Sequence, residues 1–117
     1  MKVVIFLFIA LFMFPLTAKA SDCVFVKYRG SVPLESFQCN EITDSSFIRR
    51  VCYDKPSQYM LINLNGTYYH YCSIDVETVD SLLGAESKGR FYNGFIKGKA
   101  SFDCRVNPQA EFQSKCN

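Results

Sequence analysis

The sequence predicts a small α+β domain: a small antiparallel sheet made of one strand and a hairpin, two short helices packed on one face, and disulfides stapling the whole. Three observations carry this. Residues 47–74 are dense in β-branched and aromatic residues around an Asn-Gly pair, the apolar spacing becomes helical from Asp75, and six cysteines are spread over a chain of 117 residues.

The first element is a leader. Met1-Lys2 precede "VVIFLFIALFMF", twelve uninterrupted apolar residues from Val3 to Phe14, which end at Pro15. "AKA" at Ala18 to Ala20 supplies the small-x-small cleavage pattern before Ser21. A membrane-crossing helix needs about 20 apolar residues, so residues 1–20 read as a signal peptide cut near Ala20. The expected protein is exported, periplasmic or secreted, with no membrane attachment after cleavage. Without Lys2 and Lys19, eleven basic residues face eleven acids. A chain of nearly zero net charge has no global field to draw a polyanion, so any nucleic-acid reading rests on a local patch.

Cys23, Cys39, Cys52, Cys72, Cys104 and Cys116 all lie beyond the leader, and an even count in a small exported domain reads as three disulfides. Each is worth about 2–4 kcal/mol, which matters where the core is small. Cys23 and Cys116 flank the patterned region and are expected to tie the termini; the remaining pairing stays open among the alternatives. No C-x-x-C pair occurs and the intervals are long and irregular, so no metal site is expected.

The segment "YRGSVPLESFQCNEITDSS" reads as loop, given Gly30, Pro33, Asn40 and Asp44. "FIRRVCY", Phe47 to Tyr53, reads as a strand closed by "DKPSQ". "YMLINLNGTYYHYCSI" then reads as two strands about Asn65-Gly66. A two-residue turn places Tyr69 and Tyr71 on one face with Met60, Ile62 and Leu64; a three-residue loop groups them with Tyr59, Leu61 and Asn63. Both faces are apolar enough for either. Asn65-Gly66-Thr67 is also a formal glycosylation acceptor, but the turn preference explains the pair better.

From Asp75, the apolar residues Val76, Val79, Leu82 and Leu83 recur at helical spacing, with acids at the amino end and Gly84 after them. Ser87 is positioned to cap a second helix in which Phe91 and Phe95 repeat at i, i+4, as do Tyr92 and Ile96, and which Gly98 ends. At 100° per residue Arg90 and Lys97 fall opposite Phe91 and Phe95, which are therefore expected mainly in the core. The basic residues Lys88, Arg90, Lys97 and Lys99 read as a solvated face balancing Glu77, Asp80 and Glu86, or else Lys88 and Arg90, with the amide groups around Ser87, Lys88 and Gly89, make an anion site for phosphate or carboxylate.

The runs "SSFIRRVCYD", "LNGTYYHYCSID" and "VETVDSLLGAESKGRFYNGFIKGK" resemble the KTSC domain, a short module appended to some lysyl-tRNA synthetases and found alone in many bacterial proteins. The Y-x-Y centre stands as Tyr69-His70-Tyr71 and the S-x-G-R-[YF]-[YF]-N run as Ser87, Gly89, Arg90, Phe91, Tyr92 and Asn93. Asp75 departs from the proline common there. The resemblance divides the chain into a leader (1–20), an N-terminal extension (21–44), the KTSC-like domain (45–99) and a cysteine-bearing C-terminal extension (100–117). It also points to an exported, cysteine-bearing branch in which "YRG", "CYD" and "FDCR" frame the domain. The family's function is not established; RNA binding is the role its synthetase context implies.

Nothing in the residues asks for catalysis. His70 is the only histidine, an even cysteine set leaves no thiolate nucleophile, and Asp75, Glu77 and Asp80 are explained by a helix amino end. No cofactor is expected. The expected function is a monomeric, non-catalytic binding or interaction domain that takes a protein partner or a small anionic ligand on Tyr69, Tyr71, Lys88, Arg90 and Asn93. The alternatives are a single-stranded nucleic-acid (RNA) binding module, which requires Tyr69 and Tyr71 exposed beside Arg90, and a small exported enzyme or enzyme inhibitor.

Overall fold

A computed structural model of the chain describes residues 22–108 and 116. The leader therefore lies outside the described residues. The fold is a curled six-stranded sheet in the order β2-β1-β6-β5-β4-β3, with helices on one face. Its strands are β1 (Cys23–Val26), β2 (Gly30–Pro33), β3 (Gln38–Glu41), β4 (Ile48–Asp54), β5 (Tyr59–Leu64) and β6 (Thr67–Tyr71).

The sheet is larger than expected and mixed. β1 meets β6 in parallel through Val26 and Tyr68, whereas all other neighbours are antiparallel. The segment expected as loop contains β2 and β3, and β1 precedes it. All three are only four residues long, too short for alternation to show; β2 carries a glycine and a proline, and β3 is the polar run "QCNE". β2 and β3 are the sheet's two edges, where a proline and exposed polar residues are tolerated.

The two-residue hairpin turn is the one found. Leu64 faces Thr67, Ile62 faces Tyr69 and Met60 faces Tyr71. Asn65 and Gly66 both adopt positive φ, 52° and 97°, as a type I′ turn demands, and the Asn63 side chain accepts from the Gly66 N–H at 2.8 Å. Central β5 is buried on both faces: Met60 and Ile62 join the helix-side core, while Tyr59 and Leu61 pack with Val26, Val32 and Leu34 inside the curl.

α1 (Val76–Gly84) begins at Asp75, whose carboxylate accepts from the Thr78 N–H at 3.3 Å and hydroxyl at 2.7 Å. These hydrogen bonds hold the Asp75 carboxyl below its usual range. Val79 and Leu82 are its buried residues.

α2 (Lys88–Phe91) is a single turn capped by Ser87, and it continues as a π-helical turn over Tyr92–Ile96. Its inward residues are Lys88, Tyr92 and Ile96; Phe95 is 62% exposed and Phe91 only half-buried. The expectation that Phe91 and Phe95 both lie mainly in the core is thus corrected for Phe95, whereas Phe91 packs against the edge of the core. The stretch offers two adjacent apolar stripes at i, i+4. The inner place goes to the one whose tyrosine finds a partner, the Tyr92 hydroxyl meeting that of Tyr71 at 2.5 Å. Phe95 stays outside and pairs with Phe91, ring centroids 4.9 Å apart.

Candidate functional site

The expected site residues divide between two depressions. Lys88, Arg90 and Asn93 line a recess of about 290 Å³ together with Asp44, Ser87 and Glu86. Lys88, expected at an anion site there, is turned to a carboxylate of the chain itself. Its ammonium is nearly buried, donating to Asp44 at 2.8 Å and to the Ala85 carbonyl at 3.3 Å. That hydrogen bond holds the Asp44 carboxyl below its usual range. A cation committed to a carboxylate of its own chain has little field left for a ligand, and Glu86 subtracts from what Arg90 supplies. The glycine of this motif has a packing reason: a Cβ on Gly89 would lie 2.6 Å from the Phe47 ring.

Tyr69 and Tyr71 line a separate cleft of about 350 Å³ at the end of β6, with Tyr28, His70, Lys99 and Arg105 among the other walls. The stretch "YRG" supplies Tyr28, with Arg29 next to it over the Tyr59 ring; "FDCR" supplies Asp103, Cys104 and Arg105. Tyr69 and Tyr71 are half-buried on the helix side, and Tyr71 is held through its hydroxyl by Tyr92. Burial and that phenol contact push the Tyr71 hydroxyl far above its ordinary range. The rings are therefore not the open platform beside Arg90 that base stacking requires.

His70 points to the opposite side of β6 from its neighbours and meets the Tyr59 hydroxyl through Nδ1 at 2.9 Å. Burial pushes the Tyr59 phenol up to about 12, against the Arg29 guanidinium that lies 5.0 Å over its ring. Burial, and then Arg29, push the His70 imidazole below its ordinary range, against the pull of Asp103. The ring is therefore neutral at pH 7.

Asp103 is gripped by Arg105, whose Nη2, Nε and main-chain N–H donate to it at 2.8, 3.2 and 2.8 Å. Those bonds push the Asp103 carboxyl down to about 2. Lys27 lies 5.3 Å from the Tyr28 ring centre and 5.6 Å from that of Tyr69. With Arg105 paired to Asp103, the positive charge around the cleft is carried by Lys27, Arg29 and Lys99. The cleft can hold an aromatic or apolar body between rings and a negative or acceptor group at its basic rim.

All six cysteines are bridged, Cys23 to Cys116, Cys39 to Cys52 and Cys72 to Cys104. The first is the terminal tie expected. The third decides the cleft, because it fixes the "FDCR" wall to the end of β6.

The KTSC domain family model matches residues 44–102. The chain belongs to the KTSC domain family. A crystal structure of a KTSC domain protein from Yersinia pestis superposes with a TM-score of 0.50 at 31% identity, covering 54% of this chain and 89% of that one. A protein of Tsukamurella paurometabola is 41% identical over 56 residues, 46% of this chain and 82% of the relative. The KTSC match contains Tyr69, His70, Tyr71 and Lys99, but Tyr28, Arg29, Asp103, Cys104 and Arg105 lie outside it. The cleft is therefore a composite of KTSC residues and two flanking segments. Sequence reading missed Tyr28, Arg29, Lys99, Asp103 and Arg105 as site residues; the signal was present in the "YRG" and "FDCR" runs, without a topology to join them.

Proposed function

We propose that this KTSC protein is an exported, disulfide-stapled, non-catalytic binding domain whose ligand sits in the cleft around Tyr69, His70 and Tyr71. The ligand is a small anion with an apolar body, or the equivalent group of a protein partner. One observation carries this reading: three separate parts of the chain converge on a cleft with aromatic walls and an excess of positive charge. Binding suits it better than chemistry, because the neutral His70 is engaged by a phenol and Asp103 by a guanidinium. The leader-like residues 1–20 and the fully paired cysteines support export.

The test is thermal unfolding of the oxidised protein against a panel of aliphatic and aromatic carboxylates and phosphates. A ligand raises the midpoint by mass action. The shift is expected to disappear in Tyr69→Ala and Lys99→Ala and to survive in Arg90→Ala. A shift that survives the first two and disappears in Arg90→Ala moves the site to the Ser87–Asn93 recess.

A further inference from the structure

Strand β6 turns the main-chain groups of alternate residues away from β5. Two of these outward positions are occupied: the Tyr68 carbonyl accepts from the Lys27 N–H at 2.9 Å, and the Cys72 N–H donates to the Phe102 carbonyl at 2.9 Å. His70 lies midway, so its N–H and carbonyl face the same way, along the edge that β1 has left. The pairing of β1 with β6 ends at Val26 and Tyr68, because Tyr28 adopts a φ of 72° and the Arg29 N–H folds back to the Val26 carbonyl at 3.0 Å. Among the described residues, the outward groups of His70 have no main-chain partner.

The result is a short stretch of open strand edge inside the aromatic cleft. It is blocked at one end by Lys27 and at the other by Phe102. From Tyr68 to Cys72 it spans roughly 13 Å, room for two or three extended residues. A strand that ran through would collide with both blocks, so the occupant ends there. Lys99 lines the site, Arg105 is paired there with Asp103, and Lys27 and Arg29 lie nearby. An amino terminus would add positive charge to a positive site, whereas a carboxylate is attracted.

We infer that the cleft receives the free carboxyl terminus of an extended peptide, its last residues pairing with β6 at His70 and its carboxylate facing Lys99. The inference rests on the cleft being the ligand site and names the class of ligand. Main-chain pairing supplies affinity without side-chain specificity, and Tyr28, Tyr69 and Tyr71 offer apolar walls to the terminal side chains.

The test is amide-resolved NMR titration of the oxidised, 15N-labelled protein. The probes are acetyl-Ala-Ala-Ala-Phe as free acid and as carboxamide, with benzoate and acetate beside them. The free acid is expected to shift the His70 amide saturably, the carboxamide to bind about tenfold more weakly, and Lys99→Gln to remove most of that difference. Equal binding of acid and carboxamide, or binding that leaves the His70 amide unmoved, overturns the inference. Benzoate binding without peptide binding also overturns it, yet leaves the cleft as a ligand site. If no probe moves any cleft residue, both this inference and the proposed function fail.

Discussion

At Gly89 one missing methyl explains a motif position that the sequence alone leaves ambiguous. Glycine in the first turn of a helix costs about 1 kcal/mol against alanine in propensity. The Phe47 ring is packed so close that an added Cβ would lie at 2.6 Å, and that ring meets Tyr92 edge-on with centroids 6.2 Å apart. Overpacking costs typically about 1–3 kcal/mol and wins here, because Phe47 can withdraw only by disturbing Tyr92. Gly89→Ala is expected to destabilise by up to about 2 kcal/mol in urea unfolding. Phe47→Ala should absorb the methyl, so the double variant loses less than the sum of the two singles. Lys88 teaches the related lesson about charge. Its type and its place beside a helix cap suggested a ligand site, but Asp44, 44 residues earlier, takes the ammonium. No local pattern reports a partner that distant.

At the scale of elements, the hairpin was legible because its signal is local. Asn65-Gly66 requires only that two adjacent residues adopt positive φ, which they do. Replacing Gly66 by alanine puts a Cβ into a left-handed conformation, at a cost of about 1–2 kcal/mol. The expected outcome is a lower urea midpoint with an unchanged slope, since the strands still pair and the buried area is the same. The helix beginning at Asp75 was legible for the same reason: cap, acids and apolar spacing lie within one segment. The N-terminal strands were not. β3 has one partly buried position in four, and it is a strand because it pairs with β4 and is bridged to it at Cys39 and Cys52, which face each other directly. The choice between the Phe91/Phe95 and Tyr92/Ile96 stripes was likewise unreadable, because it depends on Tyr71 across the core. Of the cleft, Tyr69 and Tyr71 could be named in advance, whereas its basic wall follows from a disulfide that the sequence leaves unassigned.

For the whole molecule, the bridges have different tasks although their stabilities are similar. By loop entropy, a bridge with the 32-residue separation of Cys72 and Cys104 is worth roughly 4 kcal/mol, and one with the 13-residue separation of Cys39 and Cys52 roughly 3 kcal/mol. Stability alone will hardly distinguish their removal, but His70 will. Burial is the largest cause of its lowered pKa, Arg29 adds to it, and Asp103 opposes both. Without the Cys72–Cys104 bridge, the Phe102 to Arg105 wall keeps the Cys72 N–H hydrogen bond and the packing of Phe102 on the core but loses its covalent tie beside His70, and water reaches the imidazole. Relief of burial raises the pKa and loss of Asp103 lowers it; burial is the larger, so the net change is upward toward the ordinary 6.5. NMR titration of the His70 ring is therefore expected to give a higher pKa in the Cys72→Ala/Cys104→Ala variant. The Cys39→Ala/Cys52→Ala variant should titrate like the parent, because its bridge lies on β3 and β4, with β5 between them and β6. Equal shifts in both would mean that the cleft responds to global loosening, and that the C-terminal wall is not what shelters His70.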